Sequence, residues 1–403
     1  MTPARTVPCA AARSPLGALA FVGLAGWFGL GLGAGCVEEL PPLVETTSLK
    51  VEVTSPASLG TPTDRLAVTV DEVETRVTAI GADGLPDTTF AGDVEVYVQF
   101  LGSLTPELAA APLTTVSIPA GGAGTGTVTL PPVYGPTVIW VQDDRAGGSF
   151  ATGVSPTLWF PEPKTRDLQK PRDEAGLAAL ATSPLQNKQV TILGSRHGAN
   201  GKLVVTGIYS QGYTVSDVLC ADAAGTPPCV AGDYDHMLVF SFSRPRDERG
   251  RGIAPGQFID GYAGAVTEFN GLTEMGFPQS FVSSPESDPT LANPARIPTP
   301  ATIVASWLTT KIEFERNESG LVQVVGGIVC PLDDDWVEFK QWKLDIGRGC
   351  SSPINVVTAG IEFDPGAREG DALAKVIGVL RPINIGTFNV WIMYPRDAAD
   401  LTP

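Results

Sequence analysis

The sequence is poor in the residues that chemistry at an active site usually needs. It holds two histidines, His197 and His236, in 403 residues. There is no His-Glu-x-x-His pair to hold zinc, no Gly-x-Ser-x-Gly elbow and no Gly-Lys-(Ser/Thr) phosphate loop. The glycine run at 121–126 lies between strand-like runs and reads as a turn. Ser195-Arg-His197 sets a serine near a histidine, but near neighbours in a chain seldom form the side-chain bond that a catalytic triad requires. Asp143-Asp144 and Asp333-Asp-Asp335 follow no calcium-loop spacing and read as solvated turns. Glu268 and Glu274 are close enough in sequence to pair, and structural hydrogen bonding is the expectation for them. Together these absences predict a protein that is not an enzyme, with no cofactor and no metal.

Cationic clusters are scarce as well. Asp and Glu number 44 against 27 Lys and Arg, a formal net charge of −17. Such an excess favours solubility and works against polyanionic partners, so nucleic acid is not the expected ligand. The densest basic stretch, Arg244-Pro-Arg-Asp-Glu-Arg-Gly-Arg251, is interrupted by Asp247 and Glu248 and reads as a solvated loop. Also missing between the strand-like runs of 201–276 is any helical period of useful length. Short β-branched and aromatic runs take its place, punctuated by glycine and proline, which predicts an all-β chain.

Residues 1–36 have a targeting pattern. Arg5 and Arg13 precede an apolar core at 16–32, and Gly33-Ala34-Gly35 leads to Cys36. This resembles the bacterial lipoprotein signal, in which the cysteine is acylated and becomes the mature N-terminus. The resemblance implies lipidation of Cys36 and a stable hold on a membrane, since several acyl chains partition strongly. Val37 follows where an inner-membrane retention aspartate would stand, which implies the outer membrane. An ordinary signal peptide cut nearby, leaving Cys36 a free thiol, is the alternative. Residues 37–45 form a short acidic tether.

Of the six cysteines, Cys9 leaves with the signal. Cys220, Cys229, Cys330 and Cys350 remain, an even number in an exported chain, and predict disulfides. Local pairing, 220 with 229 and 330 with 350, is the simplest of three connectivities. A metal site is the rival reading, but neither pair has Cys-x-x-Cys spacing and the histidines lie elsewhere.

Strand-like runs at 49–54, 66–70, 74–80, 94–100, 113–118, 126–130, 137–142 and 153–160 suit an Ig-like sandwich over 46–160. They resemble the Ig-like modules common on bacterial surface proteins. Residues 161–182 read as a linker with one helical candidate at 173–181. Beyond it come Gly201-Lys-Leu-Val-Val-Thr-Gly-Ile-Tyr209, Gln211-Gly-Tyr-Thr-Val-Ser-Asp217 and Gly261-Tyr-Ala-Gly-Ala-Val-Thr-Glu-Phe269. Glycines inside these runs suit strongly bent strands of a small barrel. The pattern resembles the OB-fold domains that accompany extracellular bacterial nucleases: a Val-x-Gly strand, a Gly-(Phe/Tyr)-x-Val-x-Asp strand, then a Val-x-Glu-(Phe/Tyr)-x-Gly-Leu-Thr-Glu segment ending at Glu274. The associated catalytic domain has no room here.

The pattern then repeats. Residues 204–209 are echoed at 324–329, and Gly256 and Gly264 are echoed by Gly370 and Gly378 with the same spacing. A tandem duplication follows, one OB-like barrel at 183–300 and a second at 301–403. Aromatic side chains on barrel strands are the candidate ligand platforms: Tyr209, Tyr213, Tyr262 and Phe269 in the first copy, Trp336, Phe339 and Trp342 in the second. The function expected is a non-catalytic envelope lipoprotein that binds glycan or protein. The alternative is an accessory nucleic-acid module working with a separate secreted nuclease.

Overall fold

The computed structural model describes residues 46–103, 111–143, 151–174, 181–386 and 388–403. Cys36, the signal, the tether, Asp144 and most of the helical candidate at 173–181 lie outside the described residues. No helix among the described residues is long and apolar enough to cross a membrane. The architecture is all-β.

The first half begins with β1 (Thr46–Ser55), β2 (Glu72–Gly81), β3 (Gly92–Phe100), β4 (Gly102–Ser103) and β5 (Thr114–Ile118). It continues with β6 (Ala123–Thr129), β7 (Pro136–Asp143), β8 (Thr152–Val154) and β9 (Leu158–Trp159). Alternation drives these strands. Along β2, Val73, Thr75, Val77 and Ala79 are buried while Glu72, Glu74 and Arg76 face water. One sheet has the order β1-β2-β6 and the other β5-β3-β7-β8, with β9 also on β7. Their apolar faces share one core, including Val77, Val96, Val128 and Ile139.

Two expectations are corrected here. Residues 66–70 form no strand; Leu66 is tied to the Trp159 carbonyl at 2.8 Å, and Val68 is exposed. The single run expected at 153–160 is split into β8 and β9 around Pro156, which has no N–H to give a ladder.

The stretch expected as a linker carries α1 (Thr165–Gln169), whose Leu168 is fully buried in the core of the next sheet. That sheet comprises β10 (Lys188–Leu193), β11 (Gly201–Tyr209), β12 (Gly212–Leu219), β13 (Val230–Phe240), β14 (Phe258–Ile259), β15 (Gly261–Phe269) and β16 (Leu272–Phe281). Strands β11, β12 and β13 form an antiparallel meander, β13 runs parallel to β16, and β16 is antiparallel to β15. Strand β15 also pairs with β10, and β14, one residue ahead of β15 in the chain, pairs with β11, so the run 258–269 joins β11 to β16 and closes the sheet. At its edge β10 also takes up β4 from the first half.

The last part contains β17 (Ala301–Thr302), α2 (Ile312–Arg316), β18 (Leu321–Val329), α3 (Asp334–Phe339), β19 (Gln341–Asp345) and β20 (Ile354–Val357). It ends with β21 (Ala372–Ile385), β22 (Phe388–Tyr394) and β23 (Leu401–Thr402). Its pairings repeat the same scheme. Strands β18, β19 and β20 meander, β20 is parallel to β22, β22 is antiparallel to β21, and β21 closes on β18. The echoed glycines occupy matching places. Gly256 and Gly370 both turn with positive φ (78° and 82°) ahead of the closing strand. A Cβ at Gly264 would lie 2.5 Å from the Gly276 carbonyl, and one at Gly378 would lie 2.9 Å from the Tyr394 backbone. The disulfides are Cys220–Cys229 and Cys330–Cys350.

A candidate binding groove in the second closed sheet

The aromatic residues nominated from sequence do not form one platform. Tyr213, Tyr262 and Trp342 are buried in the two cores, so as ligand contacts they are corrected to packing residues. The Tyr213 hydroxyl is bonded to Ser280 at 2.7 Å and that of Tyr262 to Thr165 at 2.9 Å. Tyr209 is covered by Arg381 of β21, whose guanidinium carbon sits 4.4 Å from the ring centre. Phe269 and Phe339 are exposed. Trp336 is half-buried against the second core, with the Lys340 ammonium 4.7 Å over its ring. For the residues on strands the reason is periodicity, since on a strand of a closed sheet every second side chain points to the interior. Trp336 and Phe339, expected on a barrel strand, lie instead on helix α3.

A different set converges. A cavity of ≈ 400 Å³ opens on the second closed sheet. Its floor is Gln341 and Lys343 of β19, Asn355 of β20 and Trp391 of β22. Leu308, Lys311 and Phe314 form one wall, and Phe388 and Asn389 another. Residues 351–353 form part of the rim, next to Cys350, which the disulfide ties to Cys330 at the end of β18. The Trp391 ring stacks on Phe314 at 5.7 Å and 16°, and Phe314 in turn meets Trp307 edge-on at 5.4 Å. That stacking fixes the indole plane.

Polar groups in the groove are held by one another. The Gln341 amide donates to Asn355 Oδ1 at 3.3 Å and to Asp335 Oδ2 at 3.3 Å. The Asn355 amide donates to the Trp391 carbonyl at 3.4 Å. Lys343 is paired with Asp333 and, at 3.0 Å, with Asp335. Those two carboxylates raise the Lys343 pKa against the opposing effect of its partial burial. Its charge is therefore kept and neutralised locally. The Trp391 indole N–H is buried without a hydrogen-bond partner among the described residues, a donor left for a ligand or water.

The titratable clusters elsewhere are committed to structure. Ser195 donates its hydroxyl to Asp217, while His197 Nε2 lies 3.2 Å from a different carboxylate, Asp235. Arg196 holds Asp235 with two bonds of 2.6 and 2.8 Å. The serine and histidine side chains are thus turned to separate partners. His236 is bonded to Ser216 at 2.7 Å, and burial pushes its pKa down to about 4. Glu268 accepts from the Ser183 N–H at 2.7 Å and the Thr273 hydroxyl at 2.8 Å. Glu318 accepts from the Thr273 N–H at 2.8 Å. Among the described residues no three His, Cys, Asp or Glu side chains are placed to hold a metal ion.

Sequence reasoning passed over Trp391, Asn355 and Gln341. Nothing local marks any of the three. A scan against protein-family models finds no match, and neither a curated protein nor a solved structure matches the chain.

Proposed function

We propose that this is a non-catalytic, membrane-anchored envelope lipoprotein whose groove in the last module binds a glycan-type ligand. In this reading residues 46–160 are an Ig-like sandwich, and the two closed sheets are tandem OB-like barrels. The three-on-four strand arrangement supports the first assignment. The twice-used meander, parallel step and closure support the second. In OB barrels the ligand face centres on the second and third strands, which here are β19 and β20.

One observation carries the ligand class: the groove combines a fixed indole with two amides, Gln341 and Asn355, held by their neighbours. Trp391 is itself largely buried, 7% exposed with one face on Phe314, so it contributes its unpartnered N–H as a donor to a sugar hydroxyl, and the planar amides match further hydroxyls. The concave ≈ 400 Å³ volume suits a small ligand better than a flat protein surface. A phosphate backbone is a poorer fit, because Lys343 is already neutralised and Lys311 is the other cation lining the groove.

The test is a glycan panel followed by calorimetry with the best ligand. Trp391→Ala is expected to weaken binding by about tenfold or more. Unchanged affinity in that variant removes the groove from the reading. A shift of single-stranded DNA at low salt that Trp391→Ala abolishes would move the assignment to the nucleic-acid module. Anchoring is tested separately. Cys36→Ser is expected to abolish labelling with a palmitate analogue and to release the protein from the membrane fraction.

A further inference from the structure

The most cationic stretch of the chain and a group of its phenylalanines meet at one corner of the first closed sheet. Phe242 and Phe277 are 68% and 75% exposed, and their rings lie 5.4 Å apart. Phe240 joins them edge-on at 5.2 Å from Phe242. Phe277 is placed there by a bulge. Pairing of β15 with β16 jumps from Ala263↔Gln279 to Ala265↔Gly276, so Phe277 and Pro278 face Gly264 alone. Phe277 itself has φ of 50°, a conformation disfavoured for a bulky residue and retained where its surroundings enforce it. The bulge turns an aromatic ring to water from a strand that otherwise buries such groups.

A short hairpin stands beside it. The Arg246↔Gly252 bridge defines the hairpin, and the Glu248 N–H bonds to the Ser280 carbonyl at 3.1 Å, three residues from Phe277. Arg244, Arg246 and Arg249 are exposed on this segment. Arg251 is occupied by Asp247 at 2.8 Å and Asp288 at 2.7 Å.

We propose that this corner is a second membrane contact, which binds anionic lipid: the rings enter the boundary between headgroups and acyl chains while the guanidinium groups pair with lipid phosphates. Two properties choose this partner. A local cationic patch on a chain of net charge −17 is complementary to a negative surface. Rings projecting beside it match the apolar layer behind that charge in a bilayer, which an acidic peptide does not have. The proposal stands independently of acylation at Cys36 and of the glycan groove.

The experiment uses the full chain carrying Cys36→Ser, mixed with vesicles of phosphatidylcholine alone or of three parts phosphatidylcholine to one part phosphatidylglycerol. Expected are tighter sedimentation with the anionic vesicles and slower amide hydrogen exchange at 241–252 and 274–282. Phe242→Ser with Phe277→Ser should cut the partition about tenfold or more, and Arg244→Gln with Arg249→Gln should remove the anionic preference, about fivefold per arginine. These four side chains are exposed, so the thermal midpoint should stay put. If a variant does unfold, the exchange pattern of the parent decides. Partition unaffected by the phenylalanine pair, or no protection in the two segments, overturns the proposal. So does a change from dimer to monomer in that variant without a change in partition, which would make the corner a face for a second copy.

Discussion

Glu315 and Glu318 are two of the residues for which burial outweighs every other single influence. Both are almost fully enclosed, and each has one carboxylate oxygen without a partner among the described residues. Burial pushes the Glu315 pKa up to about 8, the Ala181 N–H opposing and the charge of Glu268 adding to the rise. Glu318 is moved in the same direction by burial and then by Glu315 and Glu268. An unfolded chain ionises these groups near about 4.3. Across the window from there to about 8 the folded state holds more protons, so stability falls as pH rises. Glu315→Gln, which mimics the protonated acid, is expected to stabilise the protein at pH 8 by on the order of 1–3 kcal/mol. It should change little near pH 4, and urea melts at the two pH values measure both. His236 acts with the opposite sign. Its folded pKa, about 4, lies below the unfolded value of about 6.5, so its contribution is lost as pH falls through that window. Above that window the buried carboxylates act with one sign, Glu318 together with Glu315, so the difference between Glu315→Gln and the parent, rather than the alkaline arm of the parent alone, reads out Glu315.

Among the elements, the loop from β19 to β20 couples stability to binding. Cys330–Cys350 spans 20 residues, and residues 351–353 on the groove rim follow directly. Replacing both cysteines by alanine is expected to cost about 3 kcal/mol in the chain-entropy account. Ligand affinity should also fall, because the rim loses its tether, and calorimetry of the folded variant below its melting range separates the two effects. Legibility in the sequence follows the same division between local and distant. Strands such as β2 were readable because their burial alternates residue by residue. The echoed glycines were readable because a positive φ and a close backbone approach each leave a mark at one position. The groove was not readable. Gln341, Asn355 and Trp391 meet only through the antiparallel register of β19 on β20 and the parallel register of β20 on β22, and no local pattern encodes either. Likewise α1 was hidden in a proline-flanked stretch, where one buried Leu168 gives no period to detect.

For the molecule as a whole, what matters is that the two closed sheets are not beads on a string. Arg381 of β21 lies 4.4 Å from the Tyr209 ring of the first sheet and 5.0 Å from Tyr394 of its own. Its Nε and one terminal nitrogen are buried with no hydrogen-bond acceptor among the described residues, so the two rings and the charge of Glu274 on β16 compensate it for lost water. Arg396 is held by both oxygens of Asp400, at 2.9 and 2.7 Å, and reaches the Thr206 carbonyl at 3.1 Å. Asn384 and Asn270 add a backbone bond of 2.7 Å. The Thr273 N–H, bonded to buried Glu318 at 2.8 Å, crosses the same seam, and Arg381 is the cation among these ties that stacks on a ring of each sheet, so its truncation should loosen the seam. Arg381→Ala is expected to cost roughly 2 kcal/mol and to split a single thermal transition into two. It should expose the proline-rich connector at 283–300 to proteases, while affinity at the Trp391 groove stays unchanged, because Arg381 pairs with Ile392 and Trp391, the residue before it on β22, projects to the opposite face of the sheet. A variant that still melts in one step and resists proteolysis would mean that the sheets are joined by contacts other than this stack. Loss of groove affinity in the same variant would mean that the first sheet shapes the site.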